Sequence, residues 1–247
     1  MASKTLKLGD IVFKNKTTAE KEIKNLLHSV KVKEDEYVEL DKNMFCVLRD
    51  VLAMHPRIEE KIPNFPSELE KIVIGNTFGC NHFCYVLNGS PPEPFSYKKC
   101  FAAKSSYHKT CVIGALRALV IEQGKEYKKK YINGKDTAQC ELSGLIFPSS
   151  DMVVDHYIPF VDIFKNFCKK YNINIQDIEI EYKDNCFNTI NTIADERIRQ
   201  LFYDYHKENA KFCVINKELN SLLSDMKKEG PVFEYAVKSF IKKHVFA

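Results

Sequence analysis

The chain lacks any apolar run near the about 18 residues that a membrane-spanning helix needs, so no membrane partner is expected. Its first residues, "MASKTLKLGD", carry no apolar signal core, which makes an intracellular protein the expectation. It has no internal repeat and no low-complexity linker. Its nine cysteines, at positions 46, 80, 84, 100, 111, 140, 168, 186 and 213, are odd in number and irregularly spaced. A disulfide framework is compact and even-numbered, so these read as reduced thiols. Charge of one sign is not concentrated either: the net charge is +4, which permits nucleic-acid binding without demanding it. What is there is ordinary for a globular protein, with 247 residues, 45% hydrophobic and 28% charged, enough for one large domain or two small ones.

The hydrophobic periods predict an α+β protein. "GDIVF" reads as a strand. "TTAEKEIKNLLHSV" reads as a helix capped by Thr17 or Thr18, with Ile23, Leu26, Leu27 and Val30 on one stripe. "DKNMFCVLRDVLAMH" repeats the pattern with Met44, Val47, Leu48, Val51 and Leu52, and "EKIVIGN" and "HFCYVLN" read as paired strands. A long helix is expected from about Lys109 to Tyr131, ending in the basic run "KEYKKKY". Cations there suit both the helix dipole and phosphate. Beyond the loop "NGKDT" come a strand and turn in "QCELSGLIF", the strand "DMVVDH", and the amphipathic helix "PFVDIFKNFCKKYN" with Phe160, Ile163, Phe164 and Phe167 inward. Then follow the helix "IADERIRQLFYDYHKEN", the strand "AKFCVI", a helix over "NKELNSLLSDMKKEG" and a final helix in the tail. The expected organisation is a module over 1–105, a connecting helix and loop over 106–135, and a second domain over 136–247.

The chemistry concentrates in the second half. Asp155-His156 closes a strand and Pro159 follows. After two helices, His206 and Asn209 precede the next strand, and Asn220 sits on the helix after it. Strand, insertion, strand, helix, with Asp-His-x-x-Pro-Phe, Tyr-His and two asparagines at the joints, resembles the ββα-metal (HNH) nucleases. "CELSG" and "YHKENAKFCVINKELN" are similar to that family's divergent members. The resemblance implies hydrolysis of DNA phosphodiesters with Mg²⁺ or Mn²⁺. His156 would be the general base, Asp155 and Asn220 the metal ligands, and Asn209 (or His206) the orienting group. The residue types suit those roles. A neutral imidazole accepts a proton near pH 7, and a carboxylate and an amide oxygen suit a hard cation. Two departures stand out: the chain has no Cys-x-x-Cys pairs, and some fifty residues separate His156 from Asn209.

The first half resembles another family. "GDIVFKNKTTAEKEIKNLLHSV", "LRDVLAMHPRIEEKI" and "EPFSYKKC" are similar to the small domain of the DCL (defective chloroplasts and leaves) proteins of plants, over about residues 9 to 101. That family's usual Gly-rich segment is replaced here by "PNFPSELE". The likeness implies a nucleic-acid-binding module. Its candidate contacts are Lys14, Lys16, Tyr97, Lys98 and Lys99, joined by Lys128, Lys129 and Lys130 of the long helix. Lysines neutralise phosphate and an aromatic ring stacks on bases. "CNHFC" would place Cys80, His82 and Cys84 on one strand face, but a fourth ligand is lacking in the neighbouring sequence and no structural zinc is expected. The leading expectation is thus a metal-dependent endonuclease binding DNA, with RNA as the other candidate partner. The alternatives are a non-catalytic nucleic-acid-binding protein and an RNA-processing factor. The sequence leaves the oligomeric state open.

Overall fold

The structure, a computed structural model, describes residues 5–184, 189–223, 226 and 228–245. The chain is α+β and divides into two compact units, residues 1–108 with 184–189, and residues 109–183 with 190–247.

The first unit opens with the hairpin β1 (Leu6–Leu8) and β2 (Ile11–Phe13). Helix α1 (Lys16–Ser29) is capped by Asn15, whose side chain accepts from the Thr18 N–H at 2.8 Å. Thr17 and Thr18 were expected in that role; Asn15 takes it because Thr18 is already the third helical residue. Strand β3 (Tyr37–Glu39) leads to α2 (Lys42–Ala53), capped by Asp41, and the short α3 (Ile58–Lys61) follows. Strands β4 (Leu69–Thr77), β5 (Cys80–Leu87) and β6 (Glu93–Phe95) join β3 in an antiparallel sheet of order β3-β4-β5-β6. Period-two alternation sends Ile72, Ile74, Phe83 and Tyr85 into the core against the predicted stripes of α1 and α2. Val73, Cys84 and Val86 form a separate buried cluster. Ser96 is then the N-cap of the short helix α4 (Tyr97–Phe101).

Helix α5 (Lys104–Ile132) was expected to be a connector. Its Val112, Ala115, Leu116 and Val120 instead enter the core of the second unit. The hairpin β7 (Thr137–Gln139) and β8 (Ile146–Pro148) precedes β9 (Met152–His156) and α6 (Phe160–Tyr171). Helix α6 buries all four residues predicted to face inward, Phe160, Ile163, Phe164 and Phe167. A second hairpin, β10 (Ile180–Asp184) and β11 (Thr189–Ile193), was not expected. Then come α7 (Glu196–Asn209), β12 (Phe212–Asn216), α8 (Lys217–Leu223) and α9 (Pro231–Val245). Residues 224, 225 and 227 of the helix expected over 216–230 lie outside the described residues, as do Cys186 and the last two residues of the tail.

Two cores result in this unit. Helices α5, α6 and α7 pack around Phe167 and Phe202. Strands β9 and β12 with α8 and α9 pack around Met152, Val214, Leu219 and Phe240. Strands β9 and β12 pair antiparallel, with His156 opposite Phe212 and Asp155 opposite Cys213. Helix α8 touches both strands. Gly124 of α5 is buried, and a Cβ there would stand 3.1 Å from Val154 Cγ1 and 3.6 Å from the Phe212 ring. The missing side chain is what allows α5 to lie so close to this strand pair. Among the described residues no helix is long and apolar enough to cross a membrane.

Candidate active site

Strand β9 ends at His156 because Pro159 sets the N-terminus of α6. Proline suits that position, since its fixed φ matches the helix start and its absent N–H is not needed there. The turn brings Phe160 against the His156 ring, with centroids 5.4 Å apart. Phe212, opposite on β12, closes the other side at 5.0 Å. Consecutive strand residues point to opposite faces, and Asp155 and His156 accordingly make different bonds.

His156 Nε2 lies 2.9 Å from Nε2 of His206, a fully buried residue of α7. His206 Nδ1 lies 2.8 Å from Gln123 Oε1, while Gln123 Nε2 donates to the Tyr203 carbonyl at 3.2 Å. The last bond orients the amide and so fixes the protons along the chain. Gln123 Oε1 can only accept, so His206 carries its proton on Nδ1. Burial, with the neighbouring His156 adding to it, pushes the His206 pKa down to about 4, so near neutral pH its Nε2 is bare. His156 must then donate from Nε2, and its Nδ1 is left as a lone pair. Nδ1 has no hydrogen-bond partner among the described residues. Burial also holds the His156 pKa below the usual imidazole value; the charges of Arg117 and Lys228 push the same way and Asp155 opposes them.

Asp155 turns to a buried lysine. Lys228, 3% exposed, donates to Asp155 Oδ2 at 2.7 Å and to the His156 carbonyl at 2.6 Å. Asp155 Oδ1 accepts from the His156 N–H at 2.8 Å. Asp155, His156, Asn220, Lys228 and Arg117 all line one cavity of about 600 Å³. The Arg117 guanidinium stands 5.2 Å from the centre of the Phe160 ring. Pro159 and Lys228 also line a second cavity, of about 610 Å³.

Three of the four expected catalytic and metal-binding residues thus meet in one cavity. Asn209 does not line it. That residue is exposed, and its amide donates to the Tyr205 carbonyl at 2.8 Å, closing the last turn of α7. His206, one turn earlier, is the α7 residue that reaches His156. The cation expected between Asp155 and Asn220 does not fit this arrangement. Asp155 is the one carboxylate among the cavity's described lining, and an ammonium already occupies its Oδ2. Among the described residues no group of three or more His, Cys, Asp or Glu side chains converges as a metal site.

The lysines expected to meet nucleic acid lie on surfaces: Lys14, Lys16, Lys98, Lys99, Lys129 and Lys130 are exposed and Lys128 is partly so. Tyr97 is not available for stacking. It is 8% exposed and stands edge-on to Phe83, with centroids 6.1 Å apart, because the first turn of α4 points its ring into the core. Sequence reasoning missed Gln123, Arg117 and Lys228. The first two lie on a helix read for its basic end rather than for its middle, and the third lies 73 positions from Asp155.

No family model matches the chain, and no curated protein matches it. Among solved structures it is similar to an uncharacterized protein from Rhodospirillum rubrum determined by solution NMR. The two are 22% identical over 40% of this chain and 91% of the other, with a TM-score of 0.32.

Proposed function

We propose that the second unit is an endonuclease that hydrolyses DNA phosphodiesters, with His156 as its general base. The observation that carries the reading is the tautomer fixed by Tyr203, Gln123 and His206, which leaves His156 Nδ1 as the accepting nitrogen. A β9–β12 pair backed by α8, with Asp155, His156 and Asn220 on one cavity, supports it further. In the proposed step a water gives one proton to Nδ1 as its oxygen bonds to phosphorus. The bond from phosphorus to the leaving ester oxygen breaks, and that oxygen takes a proton from solvent. The Nε2–H stays donated to His206, which keeps the ring in place as it becomes cationic. Arg117 and Lys228 face the charge that gathers on the phosphoryl oxygens. Phe160 and Phe212 pack against the ring and keep water from those sides.

The Asp155–Lys228 pair favours a second reading, a nucleic-acid-binding protein without cleavage. A plasmid-nicking assay in Mg²⁺, Mn²⁺ and EDTA, with His156→Ala alongside, separates the two. The nuclease reading expects nicking that falls by about 10²–10⁴ in the variant. Nicking that survives the substitution would assign the cleavage to another site. DNA retained in a gel but uncut in every buffer would favour the second reading.

A further inference from the structure

The described lining of the His156 cavity carries two cationic side chains, Arg117 and Lys228, and one anionic one, Asp155. Divalent cations are bound through clustered carboxylate and carbonyl oxygens. Here the available carboxylate and the adjacent carbonyl oxygen of His156 already grip a cation, and that cation belongs to the chain. We propose that Lys228 stands in the place of the divalent ion, so that the cavity binds a nucleic-acid phosphodiester anion directly and without metal. The proposal rests on reading this cavity as a phosphodiester site.

The chemistry of the ammonium supports the assignment. It has three hydrogens to donate. Asp155 Oδ2 and the His156 carbonyl take two, at 2.7 and 2.6 Å. Among the described residues no acceptor meets the third, and we assign it to a phosphoryl oxygen at the cavity wall. Lys228 forms part of the wall of both cavities, each near 600 Å³, so a strand crossing from one to the other passes it. Lys228 already compensates Asp155, the one carboxylate in the described lining. A compensated carboxylate offers little attraction to a dication, and the ammonium beside it favours an anion. In this arrangement Asp155 is a positioning residue for the ammonium rather than a ligand for metal.

Two measurements on the full chain test this. The first follows free Mn²⁺ by electron paramagnetic resonance as wild type or Asp155→Asn is added. The second measures the anisotropy of a fluorescein-labelled single-stranded oligodeoxynucleotide in EDTA. Lys228→Met leaves the partly buried Asp155 carboxylate without its partner and is at risk of unfolding. The double variant Asp155→Asn/Lys228→Met, which removes both charges, is therefore measured beside it, with circular dichroism to report folding. The expected results are no Mn²⁺ uptake that depends on Asp155, oligonucleotide binding in EDTA, and binding weakened about tenfold in the folded variant, the worth of one charge-assisted hydrogen bond. Mn²⁺ uptake by wild type that is lost in Asp155→Asn would overturn the proposal. So would an oligonucleotide that binds only with metal, or binds equally well without Lys228. The nuclease reading fails separately. A protein that binds the oligonucleotide through Lys228 but never nicks a plasmid refutes cleavage and keeps this assignment, whereas Mn²⁺-dependent nicking lost in His156→Ala does the reverse.

Discussion

At the scale of single residues, the site is a chain of protons with one open end. His156 is useful as a base only if Nδ1 is bare, and the three groups behind it enforce that state. Two pH effects follow, with different signs of evidence. The first concerns activity. Burial, Arg117 and Lys228 together hold the His156 pKa below the imidazole norm, so the acid limb of a pH–rate profile lies below about 6.5. Arg117→Gln removes one of the cationic neighbours and should move that limb upward, as read from kcat/KM against pH. The second concerns stability. His206 titrates at about 4 when folded and near 6.5 when unfolded. Its folded-state pKa is depressed and it is neutral when buried, so the unfolded chain binds the extra proton. The stability it protects is complete above pH 6.5, falls as the pH drops, and is lost below 4. The full loss is roughly 3 kcal/mol. Urea melts at pH 7 and pH 4 should show it, and His206→Gln should flatten the difference. Asp155 and His156 were legible in the sequence because their adjacency before a proline is local. Lys228 and Gln123 were not, because nothing in their own neighbourhoods marks them; folding alone brings them to the strand end.

At the scale of elements, periodicity carried most of the fold. The stripes of α1, α2 and α6 turned inward as their spacing required. The limits were physical too. Tyr97 sits among lysines in the sequence, and so reads as a surface residue, yet the helical turn that begins there rotates its ring into the core. The β10–β11 hairpin went unread although Ile178, Ile180 and Tyr182 alternate with acidic or basic neighbours, the period-two pattern of a half-buried strand. Helix α5 shows how one absent side chain sets an interface. Its close approach to β9 at Gly124 leaves 3.1 Å between a would-be Cβ and Val154. Gly124→Leu overpacks that contact and should cost about 1–3 kcal/mol in thermal or urea unfolding. It should also lower activity by shifting the strand that carries Asp155 and His156. Phe212 lies just behind at 3.6 Å, so the larger side chain has little room to turn away.

At the scale of the whole chain, the proposed partner is a polyanion and the net charge is only +4, so binding must come from local clusters. Lys128, Lys129 and Lys130 form such a cluster at the end of α5. Replacing all three by Gln should weaken DNA retention without changing its sequence preference. It should also reduce the slope of log K against log salt by roughly 2–3, as measured by anisotropy across a salt series. An unchanged slope would assign the run to a solvated helix end. The pairing of His156 with His206, 50 positions apart, also bears on how the proposed activity would arise during folding. The strand pair closes a loop that holds α6, the β10–β11 hairpin and α7, and loop closure grows costlier only slowly with length, by about 0.6 kcal/mol for each doubling. The insert shares the apolar cluster around Phe167 and Phe202 with α5, so it can order against that helix before the strands meet. The proposed base would then be completed late in folding, when β12 docks on β9, and a refolding chain would regain helical ellipticity before any nicking activity.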